Sequence, residues 1–483
     1  MILGYERQKV IGLVLGVGLA AAAGTYIGRN GFTYREVIIA FVLLVGAFAV
    51  LGGRQGIITS AIGFIMTFAL GYRTVEITTQ LRIHAGEILI WGLFLLVLLQ
   101  KGPRNKQVNS QLWLPSWLWF FMPFWLWGII RGAFMSRPFD WMLAELKNFL
   151  LLIPLFVVFI YILREKQRWP RLFLAFYISG TIIAGMGLLE YLFPQVQSLF
   201  PGFIGNPIAG IAEEGFRRAT FSFWGSPAAT FVLVLTVPVA LILWQTWRSS
   251  LPRFLIIMAL ILQVGAIYIG GYRSMWAMLT IQFVLFAILG PGIVWGALLL
   301  VPSITAYRFL PTTTQDRALS LILALEGKPI DSSATDRLSQ LSQAWESLGN
   351  NLAGAGWAGA GWIHSDFLQV AVNLSLPAGL LFLAAYLITL FRLWQRWRRL
   401  SQDHEDRQAG VALLLAFIGI GGILLGQGVQ VLAQLVLPVW FVWVLVEIWI
   451  RQEPTDVQKV QHVREPLVTT PKSRKQARLI RHT

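Results

Sequence analysis

Long apolar stretches recur along most of the chain and are separated by short polar segments. Each is near the roughly 20 residues that a helix needs to cross the hydrocarbon core of a bilayer. In lipid, a helix lets a single segment satisfy its own backbone hydrogen bonds. The pattern predicts an all-α, polytopic transmembrane helix bundle of about 14 spans, with 12 as the alternative count. The predicted spans are 9–28, 36–52, 56–72, 85–100, 112–130, 142–163, 172–193, 228–247, 254–270, 274–290, 292–310, 366–391, 409–426 and 430–450.

The polar segments divide the chain into four parts. Residues 1–310 hold spans 1–11, and 366–450 hold spans 12–14. Between them lies the one long loop, 311–365, and 451–483 forms a basic tail with eight Lys/Arg against three acids, for which we expect disorder. A cleaved leader at the start of the chain would leave thirteen spans.

Clusters of Lys and Arg fall in alternate loops of this topology, at 101–106, 164–168, 248–253 and 392–407. The basic tail falls on the same side. Because cytoplasmic loops carry an excess of Lys and Arg, the alternation predicts that both termini are cytoplasmic and that 311–365 lies outside.

Composition supports the membrane assignment. Hydrophobic residues make up 56% of the chain and charged residues 13%, which excludes a disordered, collagen-like or coiled-coil protein. The net charge of +16 would suggest a nucleic-acid partner in a soluble protein. Here the cytoplasmic loops account for it, so we expect no nucleic-acid partner. Cysteine is absent, which excludes disulfides and thiolate metal sites.

Arginine is frequent in the loops predicted to lie outside, whereas Lys328 is the only clear lysine there. Positive charge on that side opposes the insertion bias, and the planar guanidinium favours bidentate binding of phosphate or carboxylate. The alternative is snorkelling, or pairing with Glu87, Asp140, Glu213 and Glu214. The arginines are Arg29, Arg35, Arg73, Arg82, Arg131, Arg137, Arg217, Arg218, Arg273, Arg308, Arg317 and Arg337.

The long loop contains a predicted amphipathic helix that starts near 331–335 and runs to about Leu348. Leu338, Leu341, Trp345 and Leu348 share its apolar face. Two Gly-Ala-Gly-Trp copies follow, ending at Trp357 and Trp362. Their glycines permit close approach to a ligand, and their indoles suit either sugar stacking or the membrane interface.

His364 directly follows this glycine-rich stretch, where the next span is predicted to begin. A neutral imidazole there is suited to take a proton from a hydroxyl group. The alternative is a histidine that caps the span without chemistry. Glu145, Lys147 and Glu190 are predicted within spans, as functional groups or as a buried structural pair. No phosphate loop, serine-elbow motif or metal-spaced His/Asp cluster is present.

Three segments together resemble the O-antigen ligase and O-antigen polymerase family of lipid-linked glycan transferases. They are the Arg217-Arg218-Ala-Thr-Phe stretch up to Pro227, the Gly271-Tyr-Arg273-Ser turn, and the region from Arg337 through His364 to Gly379. The resemblance covers roughly 200–390. The chain departs from the family pattern at Ser365 and Asn373, where the family commonly has Asn and Glu.

The resemblance implies a metal-independent, inverting glycosyltransferase of the bacterial inner membrane that needs no cofactor. Its donor is a glycan on undecaprenyl diphosphate, and its acceptor is a hydroxyl of a glycan, lipid core or protein. It assigns His364 as the catalytic base. Arg218 and Arg273, with Arg217 and Arg337 as further candidates, hold the diphosphate. The alternatives are a small-anion transporter of the bicarbonate type and a non-catalytic subunit of a polysaccharide export system.

Overall fold

The computed structural model describes residues 45–47, 49, 52–70, 74–76, 82–99, 114–163, 168–193, 195, 221, 226–247, 249–290, 332–359, 363–401, 406–426 and 433–452. These residues are mostly helical. In chain order the elements are α1 (Gly53–Met66), β1 (Thr74–Glu76), β2 (Arg82–His84), α2 (Ala85–Leu99), α3 (Ser116–Phe134), α4 (Phe139–Leu150), α5 (Leu152–Ile162), α6 (Trp169–Leu192), α7 (Ser226–Thr236), α8 (Val239–Thr246), α9 (Ser250–Gly270), α10 (Arg273–Leu289), α11 (Ser332–Asn350), α12 (Asp366–Leu374), α13 (Leu376–Arg399), α14 (Asp406–Gly426) and α15 (Ala433–Arg451). A short antiparallel hairpin pairs β1 with β2, with Val75 opposite Ile83.

Six helical segments of the described residues are long and apolar enough to span a membrane. The chain is therefore a helical membrane protein, as the hydrophobic pattern predicted. The count of about 14 spans is not confirmed, and the predicted spans 9–28 and 292–310 lie outside the described residues. The six segments are Phe139–Ile162, Trp169–Leu192, Ala228–Thr246, Ser250–Gly270, Leu376–Arg399 and Asp406–Gly426.

Three helix boundaries lie at or near a proline. Pro154 is in the first turn of α5, Pro238 precedes α8, and Pro377 is in the first turn of α13. Proline has no N–H to donate to the preceding turn, so it fits the start of a helix better than its interior. The predicted span 366–391 is wrong as one helix, because Ser375 separates α12 from α13.

The core is formed around α15. Every side chain from Leu435 to Trp449 is buried, and the helix packs against α5, α7, α13 and α14. Aromatic rings link these helices: the Phe382 ring of α13 stacks on Trp443 of α15 and on Phe121 of α3, each with ring centroids 5.9 Å apart. This packing sets the positions of α3 and α13, which support the candidate site.

Other helices present apolar side chains outward. On α9, Leu251, Phe254, Leu255, Met258 and Ile261 are exposed, at spacings that place them on one face. A soluble protein rarely exposes an apolar face of this length, whereas lipid chains cover it without cost. The outward face of α9 is therefore a lipid-facing surface.

Candidate functional site around His364

The position of His364 follows from the break at Ser375. The Ser375 hydroxyl accepts a hydrogen bond from the Ala378 N–H and so caps α13. The chain reverses direction at this break, and α12 packs antiparallel against α13. The ring centroid of Phe367 on α12 lies 5.4 Å from that of Phe382 and 6.0 Å from that of Tyr386, both on α13. Tyr386 is ten residues along α13, about 15 Å at 1.5 Å per residue. Phe367 therefore lies beside the middle of α13, and His364 precedes it at the end of α12 that is away from the break.

Residues 351–359, which we call the glycine loop, bind the opposite end of α12. Ala355 N–H and Gly356 N–H donate to the carbonyl oxygens of Val372 and Asn373, both at 2.8 Å. Gly354 and Gly356 have φ of +85° and +81°, a left-handed conformation that favours glycine. A Cβ at Gly356 would collide with the backbone of Gly132 on α3. The loop is thus held between α3 and α12.

Trp357 anchors the glycine loop in the core. Its side chain is fully buried, its indole N–H donates to the Trp125 carbonyl at 3.0 Å, and its ring lies 5.6 Å from Phe149 between centroids. Both expected uses of this indole, sugar stacking and a place at the membrane interface, are wrong for Trp357. Trp362, the second copy, lies outside the described residues.

Glu145 of α4 joins the glycine loop to α12. Its Oε2 accepts hydrogen bonds from the Ala358 N–H at 2.8 Å and from the Asn373 Nδ2 at 2.9 Å. Ala358 is left-handed, with φ of +63°, so this contact holds a backbone conformation that a non-glycine residue rarely adopts. Lys147, two residues on, instead pairs with Glu87 of α2 at 2.7 Å. These groups were expected to be either functional or part of a buried structural pair. Lys147 forms a structural ion pair, and Glu145 is a candidate for supporting the site.

Two arginines predicted outside also hold the glycine loop. The Arg131 Nε donates to the Gly354 carbonyl at 3.1 Å, and an Arg137 amino group donates to the Gly359 carbonyl at 3.4 Å. Trp127 adds a bond from its indole N–H to the Ala353 carbonyl at 2.8 Å. These are backbone contacts, so Arg131 and Arg137 position the loop.

His364 follows the loop in a tightly bonded turn. The Gln369 side-chain oxygen accepts from the Ile363 N–H at 2.9 Å, and the Gln369 N–H donates to the Ser365 carbonyl at 2.8 Å. Gln369 and Asp366 are fully buried, and Asp366 places a carboxyl group at the N-terminus of α12, where the helix dipole favours negative charge. These two hydrogen bonds therefore fix the backbone of Ile363 and Ser365, the two neighbours of His364 in the chain.

The environment of His364 favours its neutral form. The imidazole is half-buried and lies outside the helices that could span the membrane. Burial lowers its pKa from the ordinary value of 6.5, and the positive charge of Arg337 lowers it further. A neutral imidazole at neutral pH can accept a proton, which a general base requires.

Arg337 reaches His364 because α11 packs beside α12. Ala344 and Leu348 of α11 are buried against Ile363, Ala371 and Val372. The predicted amphipathic helix in the long loop is thus present among the described residues. Of the predicted apolar face, Leu348 is buried and Trp345 is 59% exposed.

Arg273 is the first residue of α10 and lies two residues after a left-handed Gly271 with φ of +73°. The helix α14 connects this turn to the surroundings of His364. A Cβ at Gly422 of α14 would collide with Met278 of α10, and one at Gly421 would collide with Tyr386. Met278, five residues after Arg273, and Tyr386, whose ring lies beside Phe367, therefore pack against the same part of α14. Arg217 and Arg218 lie outside the described residues.

An apolar groove of about 580 Å³ opens beside the break at Ser375. Phe124 and Trp127 of α3, Leu352 of the glycine loop, and Pro377 of α13 contribute to its walls. It lies at the opposite end of α12 from His364, so it is separate from the imidazole.

Sequence reasoning missed Gln369 and treated Asn373 only as a departure from a family pattern. Both are buried polar residues on α12 whose partners are defined by the fold. Two polar residues four positions apart on one helix, Gln369 and Asn373, were the available signal. Glu190, also expected within a span, is buried in α6.

No protein-family model matches this chain, and no curated protein is significantly similar to it. The fold and the lipid-facing helices nevertheless define its class. It is a helical integral membrane protein with a half-buried histidine next to an ordered glycine loop.

Proposed function

We propose that the protein is an inverting glycosyltransferase of the bacterial inner membrane, with both termini cytoplasmic. It transfers a glycan from undecaprenyl diphosphate to an acceptor hydroxyl at the outer face. The proposal rests mainly on the environment of His364. Its imidazole is half-buried, burial and Arg337 lower its pKa and favour the neutral form, and Gln369 holds the turn in which it lies. The three segments that resemble lipid-linked glycan transferases support the same function.

In the proposed step, the neutral imidazole of His364 takes the proton of the acceptor hydroxyl. The hydroxyl oxygen forms a bond to the anomeric carbon of the donor sugar, and the bond from that carbon to the diphosphate oxygen breaks. The diphosphate leaves with the bonding electron pair. A single displacement of this kind inverts the anomeric configuration.

The departing diphosphate gains negative charge, which fixed positive groups stabilise most in a partly dehydrated site. Arg337 supplies one such group beside His364. Arg273, Arg217 and Arg218 are assigned to this role by the resemblance. Guanidinium groups suit the task because their planar fork matches two phosphate oxygens.

The test is an assay with purified protein and a glycan on undecaprenyl diphosphate. We expect both free undecaprenyl diphosphate and an extended acceptor, in equal amounts. Arg273→Lys and Arg218→Lys should each retain expression and lose most of the activity, because an ammonium group lacks the bidentate contact. Arg171→Lys, at an exposed position of α6, is the matched control and should retain full activity.

Two results would contradict the proposal. The first is a failure to release undecaprenyl diphosphate while the same protein binds the glycan lipid, which would favour a non-catalytic export subunit. The second is uptake of bicarbonate by proteoliposomes without any transfer, which would favour an anion transporter. Full activity in both arginine variants would remove the diphosphate role from these residues.

A further inference from the structure

His364 lies among buried residues at the start of α12. Ile363 and Ser365 are 4% and 5% exposed, and Asp366 and Gln369 are fully buried, whereas the imidazole of His364 is half-buried. Packing therefore fixes the residues before and after the histidine. The backbone of this short turn then determines the direction in which the imidazole points.

A glutamine side chain replaces the usual N-cap of α12. Ser365 is the N-cap residue, but its hydroxyl makes no capping hydrogen bond. Instead, the Gln369 Oε1 reaches back across the first turn and accepts from the Ile363 N–H at 2.9 Å. In a capping box, the corresponding bond goes to the N–H of the N-cap residue itself. Here it goes to the residue before His364, so the histidine is enclosed in a hydrogen-bonded turn.

The amide of Gln369 is an expensive group to place in a fully buried position. A buried amide contributes less to folding than an apolar side chain of the same size, and methionine would fill a similar space. A carboxylate would satisfy the same N–H but would place a negative charge near the turn, which favours a protonated imidazole. A neutral acceptor is the group that holds the turn and also leaves His364 neutral.

The charged groups near His364 come from the elements packed around it. Arg337 acts on the imidazole from α11, and Asp366 lies two residues further on at the start of α12. The helix α13 carries no charged residue before Arg392. Gln369 therefore contributes geometry to this site without contributing charge.

We propose that Gln369 is a positioning residue for His364, whose side-chain oxygen holds Ile363 and so directs the imidazole towards the acceptor hydroxyl. The inference rests on the proposed function, because Gln369 acts through the base and does not touch the reacting atoms. A misplacement of about 1 Å at a reacting group can cost about 10²-fold in rate. The loss should appear in kcat and not in donor affinity, because the arginines assigned to the diphosphate are unchanged.

The first test compares the transfer kinetics of two variants with those of the unmodified protein. Gln369→Met removes the acceptor oxygen and keeps the length of the side chain, so kcat should fall about 10²-fold while KM for the glycan lipid changes less than about twofold. Gln369→Glu keeps an acceptor oxygen and should recover most of kcat at about pH 8, where the imidazole is neutral in all three proteins. An equal loss of kcat in a folded Gln369→Glu would overturn the proposal.

The pH dependence of kcat separates positioning from stability. Without the bond to Gln369 the turn loosens and the imidazole gains contact with water, so its pKa should rise towards 6.5 and the acid limb of Gln369→Met should move to higher pH. Gln263→Met is the matched control, because this fully buried glutamine of α9 bonds to Thr236 of α7 and Thr181 of α6. It should lower the Tm without changing kcat or the acid limb. The same behaviour in Gln369→Met would overturn the proposal and make Gln369 a purely structural residue.

Chemical modification measures the state of His364 without the transfer reaction. Diethyl pyrocarbonate reacts with the neutral imidazole, and mass spectrometry of the modified peptide gives the titration midpoint of His364. We expect a higher midpoint in Gln369→Met than in the unmodified protein. A higher midpoint in a protein that transfers no glycan would reject the proposed function and support the positioning of His364 by Gln369. Transfer by the unmodified protein, with an unchanged midpoint and normal kcat in Gln369→Met, would reject the positioning role alone.

Discussion

At the scale of single residues, Glu145 shows how one carboxylate can hold two distant segments together. It accepts hydrogen bonds from Ala358 in the glycine loop and from Asn373 on α12, which are 213 and 228 residues away in the chain. The sequence predicted Glu145 as an ionisable group within a span, but its partners could not be predicted, because no local pattern connects them.

Glu145→Ala should lower the free energy of unfolding by about 2–4 kcal/mol, since it leaves two donors in a partly buried site unsatisfied. Glu145→Gln should cost much less, because its amide oxygen can still accept both bonds. Thermal unfolding of the two variants in the same detergent measures the difference. Equal losses in both variants would show that the hydrogen bonds to Ala358 and Asn373 do not stabilise the fold.

His364 is expected to set the acid limit of activity. Because burial and Arg337 lower its pKa, the imidazole stays neutral below its ordinary value of 6.5, and activity should fall only below that pH. Arg337→Gln removes one of the two causes, so the acid limb should move to higher pH. The measurement is the pH dependence of the transfer rate, with Arg171→Gln as the control. An acid limb that does not move in Arg337→Gln would show that Arg337 does not act on the imidazole.

At the scale of elements, the helices were predictable and the break at Ser375 was not. The stretch 85–100 predicted α2 within one residue, and 254–270 predicted most of α9. Both are continuous apolar runs whose ends are marked by polar or glycine residues. Apolar residues continue across Ser375, so periodicity favoured one helix, although Ser375 and Pro377 together are a helix-start signal. The same limitation applied to Trp357, whose burial depends on the distant helices α3 and α4.

The glycine loop is an element whose backbone conformation is required by its contacts. Gly356→Ala should destabilise the protein by more than about 2 kcal/mol, because φ is +81° and the added Cβ would collide with the Gly132 backbone. Gly349→Ala is the matched control on α11, where a Cβ meets nothing within 4 Å. It should be neutral or stabilising by about 0.5–1 kcal/mol. Similar unfolding temperatures for the two variants would contradict the packing of the loop against α3.

At the scale of the whole molecule, the hydrophobic pattern predicted a helical membrane protein, and the structure confirms this class. The number of spans and the orientation depend on weakly apolar boundaries and on loop charges, so they stay predictions. The proposed site depends on orientation, because the donor glycan must reach His364 from outside.

Orientation can be tested cleanly because the chain has no cysteine. Ser332→Cys, at the start of α11, should react in intact cells with a maleimide that does not cross membranes. Gln395→Cys, exposed near the other end of α13, should react only after the cells are permeabilised. The reverse labelling pattern would place the glycine loop and His364 on the cytoplasmic side.

The most direct test of the proposed base role measures the transfer rate and the donor affinity of His364→Ala in the same preparation. A positioned base contributes about 10²–10⁴-fold, so the rate should fall by that factor, about 3–5 kcal/mol of barrier. Donor affinity and Tm should stay close to those of the unmodified protein, because the half-buried imidazole is not part of the packed core. A near-normal transfer rate would contradict the base role of His364. Loss of donor binding together with transfer would make His364 a ligand for the diphosphate.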